Sequence, residues 1–216
     1  MTTYVLRTYI YVDGFNLFYG AVKDTPHKWL DLKALFKGIL KPYNQIQAIK
    51  YYTAMVSARP GDLNAPTHQT AYLRALKAHI PELSVTMGVF LQNTVTMCLA
   101  KPPLIGSKFA QVLKTEEKGS DVNLALHMLN DAWNDLYDCA VVCSNDSDLS
   151  EALRIVKTER KKKIILAVPG DPKDRPPSNQ LRRYANYVLS IPVAALAASQ
   201  LPNPIPGTRL HKPPGW

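Results

Sequence analysis

The sequence predicts an α/β protein, a three-layer sandwich in which a central, mostly parallel sheet carries helices on both faces. Two observations lead there. Strand-like runs rich in β-branched and aromatic residues alternate with segments of helical period, and strands separated by helices require crossover connections. The composition of the 216 residues, 46% hydrophobic and 20% charged, is that of an ordinary globular chain with one core-forming domain.

The elements follow in order. Residues 9–12 read as the first strand, stopped by Asp13-Gly14. Helical spacing marks 17–22 and 31–40, where Leu32, Leu35, Phe36 and Ile39 recur at helix spacing and Asp31 stands at the cap position. Residues 46–56 form the second strand, ended by the turn residues Arg59-Pro60-Gly61-Asp62, and a helix over 65–79 carries Tyr72, Leu73 and Leu76. Between 84 and 99 apolar residues alternate on either side of Gln92-Asn93, which predicts a β-hairpin-like insertion. Residues 101–114, with Pro102-Pro103 and Gly106, read as a loop or arm. A helix over 121–134, an apolar strand at 139–143, a helix over 148–158 and a strand at 164–168 continue the alternation. A Pro-rich loop at 169–179, a short helix with Leu181 and Tyr184, and a strand at 187–191 complete it. The domain is read as 1–200. Residues 201–216 hold five prolines and are expected to form an extended, flexible tail.

Lysine and arginine total 26 against 17 acidic residues, a formal net charge of +9. That excess suits a polyanionic partner without identifying one. No apolar run approaches the ~20 residues of a membrane span, and the opening MTTYVLRTYI lacks the apolar core and cleavage site of a secretory signal. Three cysteines, an odd number, argue against a disulfide framework. A cytoplasmic setting without membrane contact is the expectation.

In an open parallel sheet, ligands bind outside the carboxyl ends of the strands. Asp13 follows the first strand, Ser144-Asn145-Asp146-Ser147-Asp148 follows the strand at 139–143, and Lys118-Gly119-Ser120-Asp121 opens the long helix. Any one of these acids alone suits a helix N-cap. Three elements delivering carboxylates to one rim suit a cation, because clustered carboxylates raise one another's pKa until a positive charge compensates. Mg²⁺ favours a few carboxylates plus water, and the chemistry such a site serves is phosphodiester hydrolysis. No Ser-His-Asp, Cys-His or zinc-like pattern competes. Cys139 and Cys143 share a strand face with Val141 and read as core.

Val12-Asp13-Gly14-Phe15-Asn16, then Glu117-Lys118-Gly119-Ser120-Asp121-Val122, then Cys143-Ser144-Asn145-Asp146-Ser147-Asp148-Leu149 resemble the three signature segments of NYN domains, LabA-like members of the PIN-like nuclease group. The likeness spans about residues 7–191. It implies a PIN-like fold, Mg²⁺ or Mn²⁺ binding, and metal-dependent ribonuclease activity on single-stranded or structured RNA. On this resemblance Asp13, Asp121 and Asp146 would hold metal, and Asp148 would complete the shell directly or through water. Asn16 would orient Asp13 or a metal-bound water, Ser144 would orient Asp146 or hydrogen-bond a phosphate, and Lys118 would meet a substrate phosphate. Three departures stand out. Asn145 replaces a frequent Gly, which the left-handed tolerance of Asn would accommodate. His127 replaces a frequent Asp and lies about 120° round the helix from Asp121. The second strand ends in Thr53-Ala54-Met55-Val56 without an acid, leaving Asp31 or Asp62 as substitutes.

Lys101, Lys108, Lys114 and Lys118 lead toward Asp121 and would grip phosphates, with Phe109 and Tyr52 as base-stacking rings. Arg182 and Arg183 could reach a backbone phosphate. The basic run from Arg154 to Lys163 reads as a solvated helix end on the opposite rim. The 84–100 segment suits either a core extension or the surface of a homodimer. The leading expectation is therefore an Mg²⁺- or Mn²⁺-dependent endoribonuclease. One alternative is a catalytically weak or inactive RNA-binding or regulatory module of the same fold, suggested by His127 and the missing second-strand acid. Another is a haloacid-dehalogenase-like phosphatase in which Asp146 would be phosphorylated.

Overall fold

The computed structural model describes residues 5–58 and 61–216, so Arg59 and Pro60 of the expected turn lie outside the described residues. Seven strands form one sheet: β1 (Leu6–Asp13), β2 (Asn44–Ala54), β3 (Leu83–Cys98), β4 (Phe109–Lys118), β5 (Cys139–Cys143), β6 (Lys163–Pro169) and β7 (Tyr187–Ile191). Their order is β4-β3-β2-β1-β5-β6-β7, with every pairing parallel except β3 with β4. The helices are α1 (Gly14–Leu17), running on through a π turn at Phe18–Val22, α2 (Leu32–Ile39), α3 (Ala65–His79) and α4 (Ser120–Trp133). A 3₁₀ turn at Ser147–Leu149 leads into α5 (Ser150–Thr158), and α6 (Asn179–Arg182) and α7 (Val193–Ala198) follow.

The two faces of the sheet make two cores, as strand alternation requires. Ile10 and Val12 of β1 and Cys139, Val141 and Cys143 of β5 join the first, with Leu32, Phe36, Leu73, Leu76 and Leu196 from α2, α3 and α7. Tyr11, Ala140 and Val142 join the second, with Leu124, Met128, Leu153 and Val156 from α4 and α5. Both central strands are thus buried on both sides, which is the three-layer sandwich the alternation predicted. Asp31 caps α2, its Oδ1 accepting from the Ala34 N–H at 3.0 Å. On the second face Asp131 is buried but structural: it accepts from Tyr11 Oη at 2.7 Å and pairs with Lys50 Nζ at 2.5 Å.

Two expectations change. Residues 84–99 are one strand rather than a hairpin, and its partner is β4, so the expected 101–114 loop is strand from Phe109 onward. From Val89 to Cys98, β3 pairs with β4 and leaves the parallel sheet as a two-stranded ribbon. Both faces of that ribbon meet solvent, so Gln92-Asn93 is accommodated in mid-strand, and Val89, Leu91 and Leu113 stay exposed. The ribbon is therefore no core extension.

The Pro-rich segment 201–216 is the second correction. Leu201 and Ile205 are buried, the Leu201 N–H donates to Trp29 O at 2.8 Å, and Trp29 Nε1 donates to Pro202 O at 3.2 Å. The Trp216 ring packs on Tyr72 and Trp29 at centroid distances of 5.6 and 6.2 Å. Proline forbids a regular element there but not burial of the apolar side chains between prolines. Among the described residues no helix is long and apolar enough to cross a membrane.

Candidate active site

The sheet reverses its winding at β1. The chain passes from β1 to β2 on one side, and β5 lies on the other, which opens a crevice at the carboxyl ends of β1 and β5. Val12 faces Cys143 in the parallel register, so the next residues, Asp13 and Ser144, emerge side by side. Ser144 Oγ donates to Asp13 Oδ2 at 2.9 Å and accepts from the Asp146 N–H at 3.1 Å. Asp13 Oδ1 caps α1 by accepting from the Asn16 N–H at 2.8 Å. Asn16 Oδ1 in turn accepts from the Asn145 N–H at 3.2 Å and from Arg175 Nη2 at 2.8 Å. Asp13, Asn16, Ser144 and Asp146 are therefore one hydrogen-bonded unit spanning two strand ends.

The third acid arrives from the other direction. Gly119 takes φ 98°, a left-handed turn that glycine enters without steric cost, and releases the chain from β4 into α4. Glu117 Oε1 then accepts from both the backbone N–H and the hydroxyl of Ser120, at 3.1 and 2.8 Å. A Cβ on Gly88 would stand 2.2 Å from that same Glu117 oxygen, so only glycine lets β3 pass beneath the turn. Asp121, in the first turn of α4, is half-buried against the cavity. Asp13, Glu117, Asp121 and Asp146 line one cavity of about 260 Å³, with Phe15, Asn16, Tyr19 and Phe90 completing its wall.

The electrostatics follow from that crowding. Burial raises the pKa of Asp13, opposed by its hydrogen bonds from Asn16 and Ser144. Asp121 is pushed up to about 7, first by burial and then by Asp13, Asp146, Glu117 and Asp148. Among the described residues no three His, Cys, Asp or Glu side chains already converge on one point as ligands would. The donor set nevertheless fits a hard divalent cation: several carboxylate oxygens around one cavity, destabilised by one another in the absence of positive charge.

Asp148 is exposed at the edge of this group, its N–H donating to Asp146 Oδ1 at 3.0 Å. The lysines lie elsewhere. Successive strand residues face opposite sides, so Lys118 and Lys114 project away from Glu117 and pair with Glu116 at 3.4 and 2.6 Å. Lys108 stands at the far tip of the ribbon, about 30 Å of strand away. Tyr52 is fully buried and hydrogen-bonded to His127 Nδ1 at 3.1 Å, so neither it nor His127 reaches the cavity. Asp31 pairs with His79 at 3.1 Å, which leaves it to structure. Asn145 does not take the left-handed conformation; its side chain clamps the 169–179 loop through Pro176 O at 3.0 Å and the Ser178 N–H at 2.7 Å. The basic run before β6 is on the opposite rim, with Arg154 bridging Glu151 and Glu159 and Lys162 pairing with Asp135.

Two residues at the site carried no assigned role in the sequence reading. Glu117 stands three residues before Ser120, a spacing that places a carboxylate against a helix start. Arg175 lies in the 169–179 loop, and nothing local marks it as a partner of Asn16.

Comparison with known proteins bears on the family and the fold. The chain is 34% identical, over 98% of its length and 75% of the relative's, to 6-hydroxy-3-succinoylpyridine 3-monooxygenase HspA of Pseudomonas putida. A crystal structure of a protein of unknown function from Vibrio parahaemolyticus superposes with a TM-score of 0.55. It is 17% identical and the match covers 93% of this chain and 99% of that one, a likeness of fold. The sequence model of the family described as NYN domain matches residues 7–192, which takes in all but the first residue of the seven strands and all four cavity acids, and the chain belongs to that family of PIN-like α/β domains.

Proposed function

We propose that this chain is a metal-dependent ribonuclease that hydrolyses RNA phosphodiester bonds. The observation that carries the reading is that Asp13, Glu117, Asp121 and Asp146 line one cavity at the topological switch point, where burial and then the neighbouring carboxylates push the Asp121 pKa up to about 7. Asp13, Asp121 and Asp146 would hold Mg²⁺ or Mn²⁺, with Asp148 and Glu117 at the edges. A divalent cation bound there supplies Lewis acidity, lowering the pKa of a water for attack and offsetting charge on the phosphate oxygens. The chain's own residues do the positioning. Ser144 and Asn16 fix both oxygens of Asp13, and Ser144 ties Asp146 to the same frame. Arg175, hydrogen-bonded to Asn16, would contribute positive charge toward a substrate phosphate.

The test is hydrolysis of labelled RNA and of a small phosphomonoester with Mg²⁺ or Mn²⁺, comparing wild type with Asp13→Asn and Asp146→Asn. RNA cleavage that falls in both variants supports the reading; cleavage unchanged in both refutes it. Metal binding without cleavage points to a regulatory module. Phosphomonoester turnover lost only in Asp146→Asn points to a phosphatase.

A second reading, oxidation of a small heteroaromatic ring, is favoured by an apolar cavity of about 160 Å³ beside the acids and by the printed activity of the Pseudomonas relative. Consumption of 6-hydroxy-3-succinoylpyridine with a reduced nicotinamide cofactor and oxygen, in the absence of RNA cleavage, would establish it.

A further inference from the structure

The acid cavity has a neighbour. Phe15 and Tyr19, stacked with centroids 6.4 Å apart, line both the carboxylate cavity and a second, apolar one. The second cavity is walled further by Phe18, Tyr72 and Trp216, and its volume of about 160 Å³ compares with the ~150 Å³ that accepts a benzene ring in an engineered protein core. Trp216 is fixed there by centroid contacts of 5.6 Å to both Tyr72 and His68, so the segment 201–216 supplies one wall. Gln69, which also lines the cavity, has its amide committed. Its Nε2 donates to Ala54 O and Thr53 Oγ1 at 2.9 and 3.2 Å, and its Oε1 accepts from the Val56 N–H at 2.9 Å.

We infer that this cavity is a subsite for a planar nucleobase, belonging to the nucleotide whose phosphate reaches the acids. The inference rests on the ribonuclease reading for the identity of the ring. Three features favour a base over an unconnected small molecule. The cavity brings together the rings of Phe15, Phe18, Tyr19, Tyr72 and Trp216. It shares two side chains with the carboxylate cavity, so a ring and a phosphate joined through one sugar can occupy both. The four carboxylates next door repel a free organic acid, whereas a phosphodiester arriving with its cation is compatible with them. The Gln69 amide is committed and Ser57 and Asp62 also line the cavity, while its aromatic rings supply stacking, which every base satisfies.

The experiment uses 2-aminopurine riboside, whose fluorescence is quenched on stacking, with the metal-free full chain. Quenching that adenosine reverses and ribose does not, and that weakens about tenfold or more in Trp216→Ala and His68→Ala, supports the subsite. In parallel, a single abasic residue is walked along an RNA strand with wild-type protein, which needs no variant to fold. A rise of about tenfold in KM at one position next to the scissile bond supports it. Indifference to abasic residues at every position, with no quenching, overturns it. So does displacement of the riboside by a pyridine carboxylic acid at tenfold lower concentration than adenosine. Adenosine-reversible quenching in a protein that cleaves no RNA keeps the subsite and refutes the ribonuclease reading instead.

Discussion

Asp121→Asn isolates the charge crowding in the cavity. Burial, and then the neighbouring carboxylates, lift the Asp121 pKa from its ordinary value of 3.8 to about 7. At about 1.4 kcal/mol per pH unit, that difference corresponds to about 4 kcal/mol against the charged form. The carboxyl still meets solvent, so screening reduces the figure to roughly 1–2 kcal/mol. The sign follows from linkage. Below about pH 4 the group is protonated folded and unfolded, and it contributes nothing. Between about pH 4 and 7 the unfolded chain has released the proton while the folded chain keeps it, so stability falls as pH rises. Above pH 7 the penalty is complete. Asparagine has nearly the same shape and no charge, so the variant without metal gains roughly 1–2 kcal/mol at pH 8, or about 2–8 °C in Tm. That advantage shrinks toward pH 4. Saturating Mn²⁺ or Mg²⁺ raises the Tm of wild type more than that of the variant and narrows the gap. Thermal unfolding at a series of pH values, with chelator and then with metal, measures all of this. A variant less stable than wild type at pH 8, or a gap that ignores pH, would refute the reasoning.

Ser144→Ala removes the hydroxyl that joins Asp13 to the Asp146 backbone. Metal-dependent RNA cleavage then drops about 10- to 100-fold, and urea unfolding shows a loss of about 1–3 kcal/mol. Gly88→Ala places a Cβ 2.2 Å from Glu117 Oε1 and 2.7 Å from Lys118 O, and of these only the carboxylate end can move readily. It costs about 1–3 kcal/mol by the same measurement and displaces Glu117 from Ser120, read as faster hydrogen exchange at the Ser120 amide. Lys118→Ala leaves the KM for RNA close to wild type, because that side chain faces Glu116 across the strand from the cavity. Arg175→Ala raises KM about tenfold through loss of its charge and of its bond to Asn16.

Much of the fold was legible because the signals were local. The β5 strand is an unbroken apolar run, α3 has a sustained helical period, and Asp31 announces a helix start one residue ahead. The acids at the ends of β1 and β5 were legible for a related reason: a parallel sheet places its ligand site at strand ends, whatever the side chains elsewhere. What failed were inferences that depend on side-chain direction or on partners distant in sequence. Lys118 is adjacent to Glu117 in sequence and opposite to it in space. Arg175 meets Asn16 across 159 positions. The ribbon was misread because strand punctuation is informative only where one face is buried. The tail was misread because proline content reports on hydrogen bonding, not on burial.

The link between Asp13 and Ser144 has a wider meaning. The spacing of these two groups is inherited from the main-chain ladder that sets Val12 opposite Cys143. A slip of one residue along that pair would send one strand's side chains into the opposite cores and carry the two acids apart. The chemistry is therefore calibrated by the alignment of two buried backbones. Substitutions on the ribbon or the surface helices can change what is held in the crevice, while the distance between its first two oxygens stays a property of the sheet.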